Sequence, residues 1–120
     1  MVMISVVILT RNNEDTIKRT LSSVMSFNEI IIIDTGSCDS TIDIARSFDN
    51  TKIIKSKFTT FGSIRNKGAS IASNNWILAI DSDEELSQDL AYEINKIHLD
   101  DKCVYSLPFI NIYNKKHIKW

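Results

Sequence analysis

Four consecutive isoleucines, Ile30–Ile33, run straight into Asp34. β-branched side chains are stiff and favour extended backbone, and successive residues of a strand point to opposite faces. A run with no polar alternate therefore needs apolar cover on both faces, the situation of a parallel strand sandwiched between helices. Three further runs, Met3–Thr10, Lys52–Lys55 and Trp76–Ile80, are read the same way. Between the runs the apolar residues change to helical spacing. The stripes are Ile17, Leu21 and Val24; Thr41, Ile44, Ala45 and Phe48; Ile64, Gly68, Ile71 and Ala72; and Leu86, Leu90, Ile94 and Ile97. Asp39 or Ser40 is placed to cap the second helix and Ser87 the fourth. The order is β-α-β-α-β-α-β-α, followed by a β-rich tail over Cys103–Trp120 that turns around Asn114–Lys116. Such alternation predicts an α/β fold, a mostly parallel sheet joined by right-handed crossovers and flanked by helices.

A chain of 120 residues with three glycines, one proline and no internal repeat leaves little for linkers, so residues 1–120 are expected to form one domain. Fourteen basic residues oppose fifteen acidic ones, a net charge of -1. That balance lacks the electrostatic footprint of a general nucleic-acid binder. Cys38 and Cys103 are too few for a disulfide scaffold and fit no zinc spacing, which favours a reducing compartment. No apolar run approaches the roughly 18 residues of a membrane span. The stretch MVMISVVILTRNNE has no basic region ahead of its apolar part and does not read as a signal peptide.

Open α/β sheets bind ligands outside the carboxyl ends of their strands. Three of those ends carry polar and acidic groups: Thr10-Arg11-Asn12-Asn13-Glu14, Asp34 through Thr41, and Asp81-Ser82-Asp83-Glu84-Glu85. In extended backbone Asp81 and Asp83 share a side, where two carboxylates can serve one hard divalent cation. The alternative is a solvated acidic loop ahead of a helix. Asp34 can accept hydrogen bonds from a base edge or ribose hydroxyls, or else cap the turn Thr35–Ser37. Arg65 has the forked donors that suit a diphosphate, whereas Lys67 reads as an exposed helix residue. Gly68 inside a helix costs about 1 kcal/mol against Ala, so another element or a ligand is expected to approach it closely. Neither GxGxxG nor GxxxxGK[ST] occurs, the serines lack a GxSxG setting, and His98 and His117 have no ligand partners at a recognisable spacing.

Taken in order, "ISVVILTRNNEDTIKRTLSSV", "FNEIIIIDTGSCDSTIDIAR" and "FGSIRNKGASIASNNWILAIDSDEEL" resemble the first strand and helix, the nucleotide loop, and the R-N-x-G/A helix with the DxD strand of family 2 inverting glycosyltransferases. These have the GT-A fold, a Rossmann-like nucleotide-diphospho-sugar transferase architecture. The pattern is nearest the branch of lipopolysaccharide-core glucosyltransferases and bacteriocin S-glycosyltransferases. The likeness covers roughly residues 3–86, and the tail more loosely. It implies that Thr10, Arg11, Asn12 and Glu14 line a nucleotide pocket, that Asp34 holds the base, usually uracil, and that Asp39 shapes the loop beside it. Arg65 would lie near the base or diphosphate, Asp81 near ribose and metal, and Asp83 would be the principal ligand of Mn2+ or Mg2+. The implied partner is a nucleotide-diphosphate sugar. The acceptor, whether saccharide, lipid-linked glycan or peptide, is open, and the place of work is cytoplasmic or at the inner membrane face. The catalytic base of the family lies in an acceptor half, expected beyond Trp120, and none of Glu84, Glu85, Asp89 and Asp100 matches its position. Residues 1–120 thus read as the donor-binding part, with a homo-oligomer allowed. Two other readings compete: a non-catalytic interaction or oligomerising module, and a sugar-phosphate nucleotidyltransferase. The latter would carry a Gly-rich loop where this chain has Thr-Arg-Asn-Asn-Glu.

Overall fold

The computed structural model describes residues 3–107, 111–113 and 116–118. The elements are β1 (Ile4–Thr10), α1 (Ile17–Ser23), β2 (Glu29–Asp34), α2 (Thr41–Arg46), β3 (Thr51–Lys55), α3 (Phe61–Ile71), β4 (Trp76–Asp81), α4 (Gln88–Lys96), β5 (Asn111–Tyr113) and β6 (Lys116–Ile118). The first four strands form a parallel sheet in the order β3-β2-β1-β4. Because β2 and β3 step away on one side of β1 and β4 on the other, the crossover carrying α3 must lie on the face opposite α1 and α2 if all are right-handed.

The core follows that division. Ile4, Val6 and Ile8 of β1 and Ile30 and Ile32 of β2 pack with Ile17, Leu21, Val24, Ala45, Leu86 and Ala91 on the face of α1, α2 and α4. On the opposite face Val7, Ile31 and Ile33 pack with Ile64 of α3. The isoleucine run thus feeds two cores at once, which is why it tolerates no polar residue. Gly68 answers to β1: a Cβ there would stand 2.6 Å from Val7 Cγ1. The close approach is by a strand, not a ligand.

Two expectations need correction. β3 and β4 are not buried on both faces as β1 and β2 are; both lie at sheet edges and are half-buried. Only Ile53 and Ile54 of β3 are apolar; of its flanking lysines, Lys55 is exposed and Lys52, itself half-exposed, reaches back to Glu29. The β-rich tail adds no strand to the main sheet: β5 and β6 pair antiparallel as a separate two-stranded sheet, and 103–107 are not strand. The turn expected at Asn114–Lys116 falls partly on residues outside those described. Ser40 occupies the N-cap position of α2 without a side-chain bond, and Asp39 does the capping instead, its Oδ1 accepting the Thr41 N–H at 3.0 Å. Ser87 caps α4 as expected, accepting from the Leu90 N–H at 3.1 Å. Among the described residues no helix is long and apolar enough to cross a membrane.

Candidate functional site

The strand register brings the polar ends together. Thr10 lies opposite Asp34, Asp34 opposite Lys55, and Leu9 opposite Asp81, so the loops after β1, β2 and β4 leave from one edge of the sheet. The first two loops are laced to each other. Asn12, in the left-handed conformation with φ 54° that asparagine tolerates better than most residues, donates its N–H to Ser37 Oγ at 2.9 Å. Its Oδ1 accepts the Cys38 N–H at 2.7 Å. The Glu14 N–H donates to Asp39 Oδ2 at 3.2 Å, and Glu14 Oε2 accepts the Ser40 N–H at 3.0 Å. The Thr41 hydroxyl, above all, holds the Asp39 carboxyl below the usual carboxylate range. Thr10, Arg11, Asn12, Glu14, Asp34 and Asp39 are therefore one assembly.

Asp34 is 2% exposed, and its carboxylate is engaged. Oδ2 accepts from the N–H groups of Gly36 and Ser37 at 3.2 and 3.1 Å, and Oδ1 from the Ser37 hydroxyl. Turn-capping is what these bonds accomplish. Of about four acceptor sites on a carboxylate, three are filled. Gly36, with φ 121°, supplies the backbone conformation the turn requires.

On the β4 side the Arg65 Nη2 donates to Asp81 Oδ1 at 2.6 Å. Both side chains are half-exposed, so the pair is a weak stabiliser and an accessible one. The segment Asp81–Asp83 is not extended as the spacing suggested. It turns, with the Glu84 N–H donating to the Asp81 carbonyl at 3.0 Å and Glu84 Oε1 accepting the Asp81 N–H at 2.7 Å. Three residues given no role from the sequence, Asn13, Thr16 and Thr20, hold this turn from beneath through Ser82. Ser82, 6% exposed, donates its hydroxyl to Asn13 Oδ1 at 2.7 Å. Its carbonyl accepts from the hydroxyls of Thr16 and Thr20, both at 2.9 Å.

Asp81 and Asp83 offer the hard oxygen donors that Mg2+ or Mn2+ prefers, and both are exposed. No cluster of three or more His, Cys, Asp or Glu is gathered among the described residues. The donor set therefore fits a cation whose remaining positions go to water and substrate phosphate, and does not fit an all-protein cage. A groove of about 1070 Å3 runs elsewhere, between α1 and α4, lined by Met25, Tyr92 and His98 among others, and touches none of the predicted residues except the flanking Glu85.

The sequence model of Glycosyl transferase family 2 matches residues 5–120. A glycosyltransferase of Rickettsia typhi, itself uncharacterized, is 35% identical over 115 residues, covering 92% of this chain. The chain spans 39% of that relative's length. Among solved structures, TarS of S. aureus (residues 1–349) superposes with a TM-score of 0.66 at 25% identity, over 78% of this chain and 31% of that one. Glucosyl-3-phosphoglycerate synthase of Mycobacterium tuberculosis, solved with Mn2+, uridine diphosphate and glucosyl-3-phosphoglycerate, gives 0.60 at 22% identity, over 69% and 35%. Its likeness is one of fold. With a family match over nearly the whole sequence and the polar loops after β1, β2 and β4 gathered on one sheet edge, the chain belongs to glycosyl transferase family 2.

Proposed function

We propose that this chain is the donor-binding part of a glycosyltransferase that takes a sugar from a nucleotide-diphosphate sugar, with uridine diphosphate as the carrier, and passes it to an acceptor with inversion. The observation that carries the reading is the common edge: Asp34, the β1 loop and the Arg65–Asp81 pair belong to four different elements, and the register sets them along one rim. Asp34 would hold the base. Thr10, Arg11, Asn12 and Glu14 form the wall beside it, with Asp39 fixing the loop. Arg65, once released from Asp81, has a forked donor for a diphosphate. Asp83, with Asp81, would hold Mn2+ or Mg2+, which when bound supplies positive charge to the diphosphate leaving group. The likeness to a synthase crystallised with Mn2+ and uridine diphosphate supports this choice of carrier and ion. Work on the cytoplasmic side of the membrane agrees with two free, exposed cysteines. Transfer itself needs a base that removes the acceptor's proton, a role for which none of the residues on the rim is placed by the family's pattern.

Thermal melting with a panel of nucleoside diphosphates tests the reading. Uridine diphosphate with Mn2+ is expected to raise the melting temperature, since a ligand at 100 times its Kd adds about 2.7 kcal/mol. Asp83→Ala is expected to remove the metal-dependent part of that rise. Equal responses to every nucleotide, or none, would refute the proposal.

A further inference from the structure

We propose that Asn13 and Ser82 form a positioning link between the nucleotide loops and the acidic turn, coupling nucleotide binding on one side to cation binding on the other. The inference rests on the donor-site reading above and adds to it the residues that join its two halves.

The link is drawn in hydrogen bonds. Asn13 Oδ1 accepts from three donors: the Thr10 hydroxyl at 2.8 Å, the Arg11 N–H at 3.0 Å and the Ser82 hydroxyl at 2.7 Å. The Asn13 N–H donates to Thr41 Oγ1 at 2.8 Å, at the start of α2. The Asn13 carbonyl accepts from the N–H groups of Thr16 and Ile17 at 3.1 and 2.9 Å, starting α1. One residue thus joins the end of β1, the start of α2, the first turn of α1 and the turn after β4. On the far side, Ser82 is buried while its neighbours Asp81 and Asp83 are exposed. Its hydroxyl is held by Asn13 and its carbonyl by Thr16 and Thr20, the latter 1% exposed. Pinning the middle residue by its hydroxyl and its carbonyl fixes the backbone from which the two flanking carboxylates project. Removing a group bonded directly to a metal ligand commonly changes affinity 10- to 100-fold, and Ser82, acting one step further back through the backbone, is expected to give a smaller factor. A nucleotide that orders the β1 loop will therefore order the acidic turn through the Ser82 hydroxyl, and by linkage the cation will tighten the nucleotide by the same factor.

Ser82→Ala isolates the effect. It deletes one of three donors on Asn13 Oδ1, leaves no buried polar group without a partner, and keeps both threonine bonds to the carbonyl, so the fold is expected to survive. Asn13→Ala would strand three donors and is the poorer variant. The measurement is the Kd of uridine diphosphate by titration calorimetry, with Mn2+ and with a chelator, on wild type, Ser82→Ala and Ser82→Thr, each checked by circular dichroism. The expected result is a metal enhancement cut at least fivefold in Ser82→Ala, with the metal-free Kd within twofold of wild type, and recovery in Ser82→Thr. An unchanged enhancement in Ser82→Ala overturns the link. An equal loss with and without Mn2+ also overturns it, because it assigns Ser82 to general stability. A wild type that binds no uridine diphosphate under either condition overturns the donor-site reading together with the link.

Discussion

Glu29 is a carboxylate among apolar side chains, 6% exposed, at the amino end of β2 and so at the opposite edge from the rim. Burial raises its pKa, but bonds from Lys52, Ser5 and Ser73 outweigh it and bring the value from 4.5 to about 2. Lys52 Nζ lies 2.7 Å from Oε2, the Ser5 hydroxyl 2.6 Å from Oε1, and Ser73 donates both its N–H and its hydroxyl at 2.8 Å. The group ties β1, β2, β3 and the segment before β4 into one clamp. Its pKa is depressed on folding, so the stabilisation is fully present above about pH 4.5 and is lost as pH falls toward 2. At about 1.4 kcal/mol per pKa unit the shift is worth at most about 3.5 kcal/mol. Glu29→Gln is expected to lower stability to urea by about 1–3 kcal/mol at pH 7, with the gap closing near pH 2.5, where the wild-type carboxyl also starts to lose its charge. A gap independent of pH would show that shape, not charge, is what the site uses. Glu29, Asn13 and Ser82 escaped sequence reading for one reason. Their partners lie 24, 69 and 69 residues away, and only the strand register makes them neighbours. Asp34 and Asp81 were placed on the rim from the sequence because each ends a strand, where topology alone fixes the edge, whereas Arg65, inside α3, reaches it through its bond to Asp81.

At the scale of elements, apolar spacing located all four helices, and where a stripe departs from burial the helix is short. Phe48 lies beyond the end of α2, and Ile71 and Ile97, at or past the ends of α3 and α4, are about one-third exposed. What spacing did not show is which helix covers which face. α3 alone covers its side, anchored by Ile64 and by the missing side chain of Gly68. Gly68→Ala sets two effects against each other. Helix propensity favours alanine by about 1 kcal/mol. The new Cβ meets Val7 Cγ1 at 2.6 Å and Cγ2 at 3.4 Å. Val7 is a buried β-branched residue of β1, a strand with a neighbour on each side, so it cannot rotate away cheaply. Overpacking of this kind costs about 1–3 kcal/mol and wins. Gly68→Ala is expected to lose about 1–2 kcal/mol in urea melts, and Val7→Ala to turn the same change from harmful to neutral or favourable. Additive losses in the double variant would mean that the helix does not press on β1 at this point.

For the whole molecule, the alternation of runs and stripes was enough to give an α/β sandwich, because each isoleucine run demanded cover on two faces. The burial of the outer strands was not legible, since Trp76–Ile80 reads like an interior strand yet occupies an edge. The two edges differ. β3 carries Lys52 and Lys55, charges of the sort that discourage pairing with another chain. β4 has no charge before Asp81, and its Ala79 is exposed on the face that α3 leaves bare. Among the described residues no strand pairs with the outer edge of β4, and an unpaired apolar edge is a template for a further strand. A second copy can pair there: antiparallel pairing about a two-fold axis sets Asp81 of each copy beside the uncharged start of the other strand, so no carboxylates meet. Light scattering at high concentration is expected to give a mass above the 13.7 kDa of one chain. Ala79→Lys places a charge on that edge without touching the core and should restore the single-chain mass while the circular dichroism spectrum stays the same. A wild type that scatters as 13.7 kDa at every concentration would show that β4 is guarded by something other than charge.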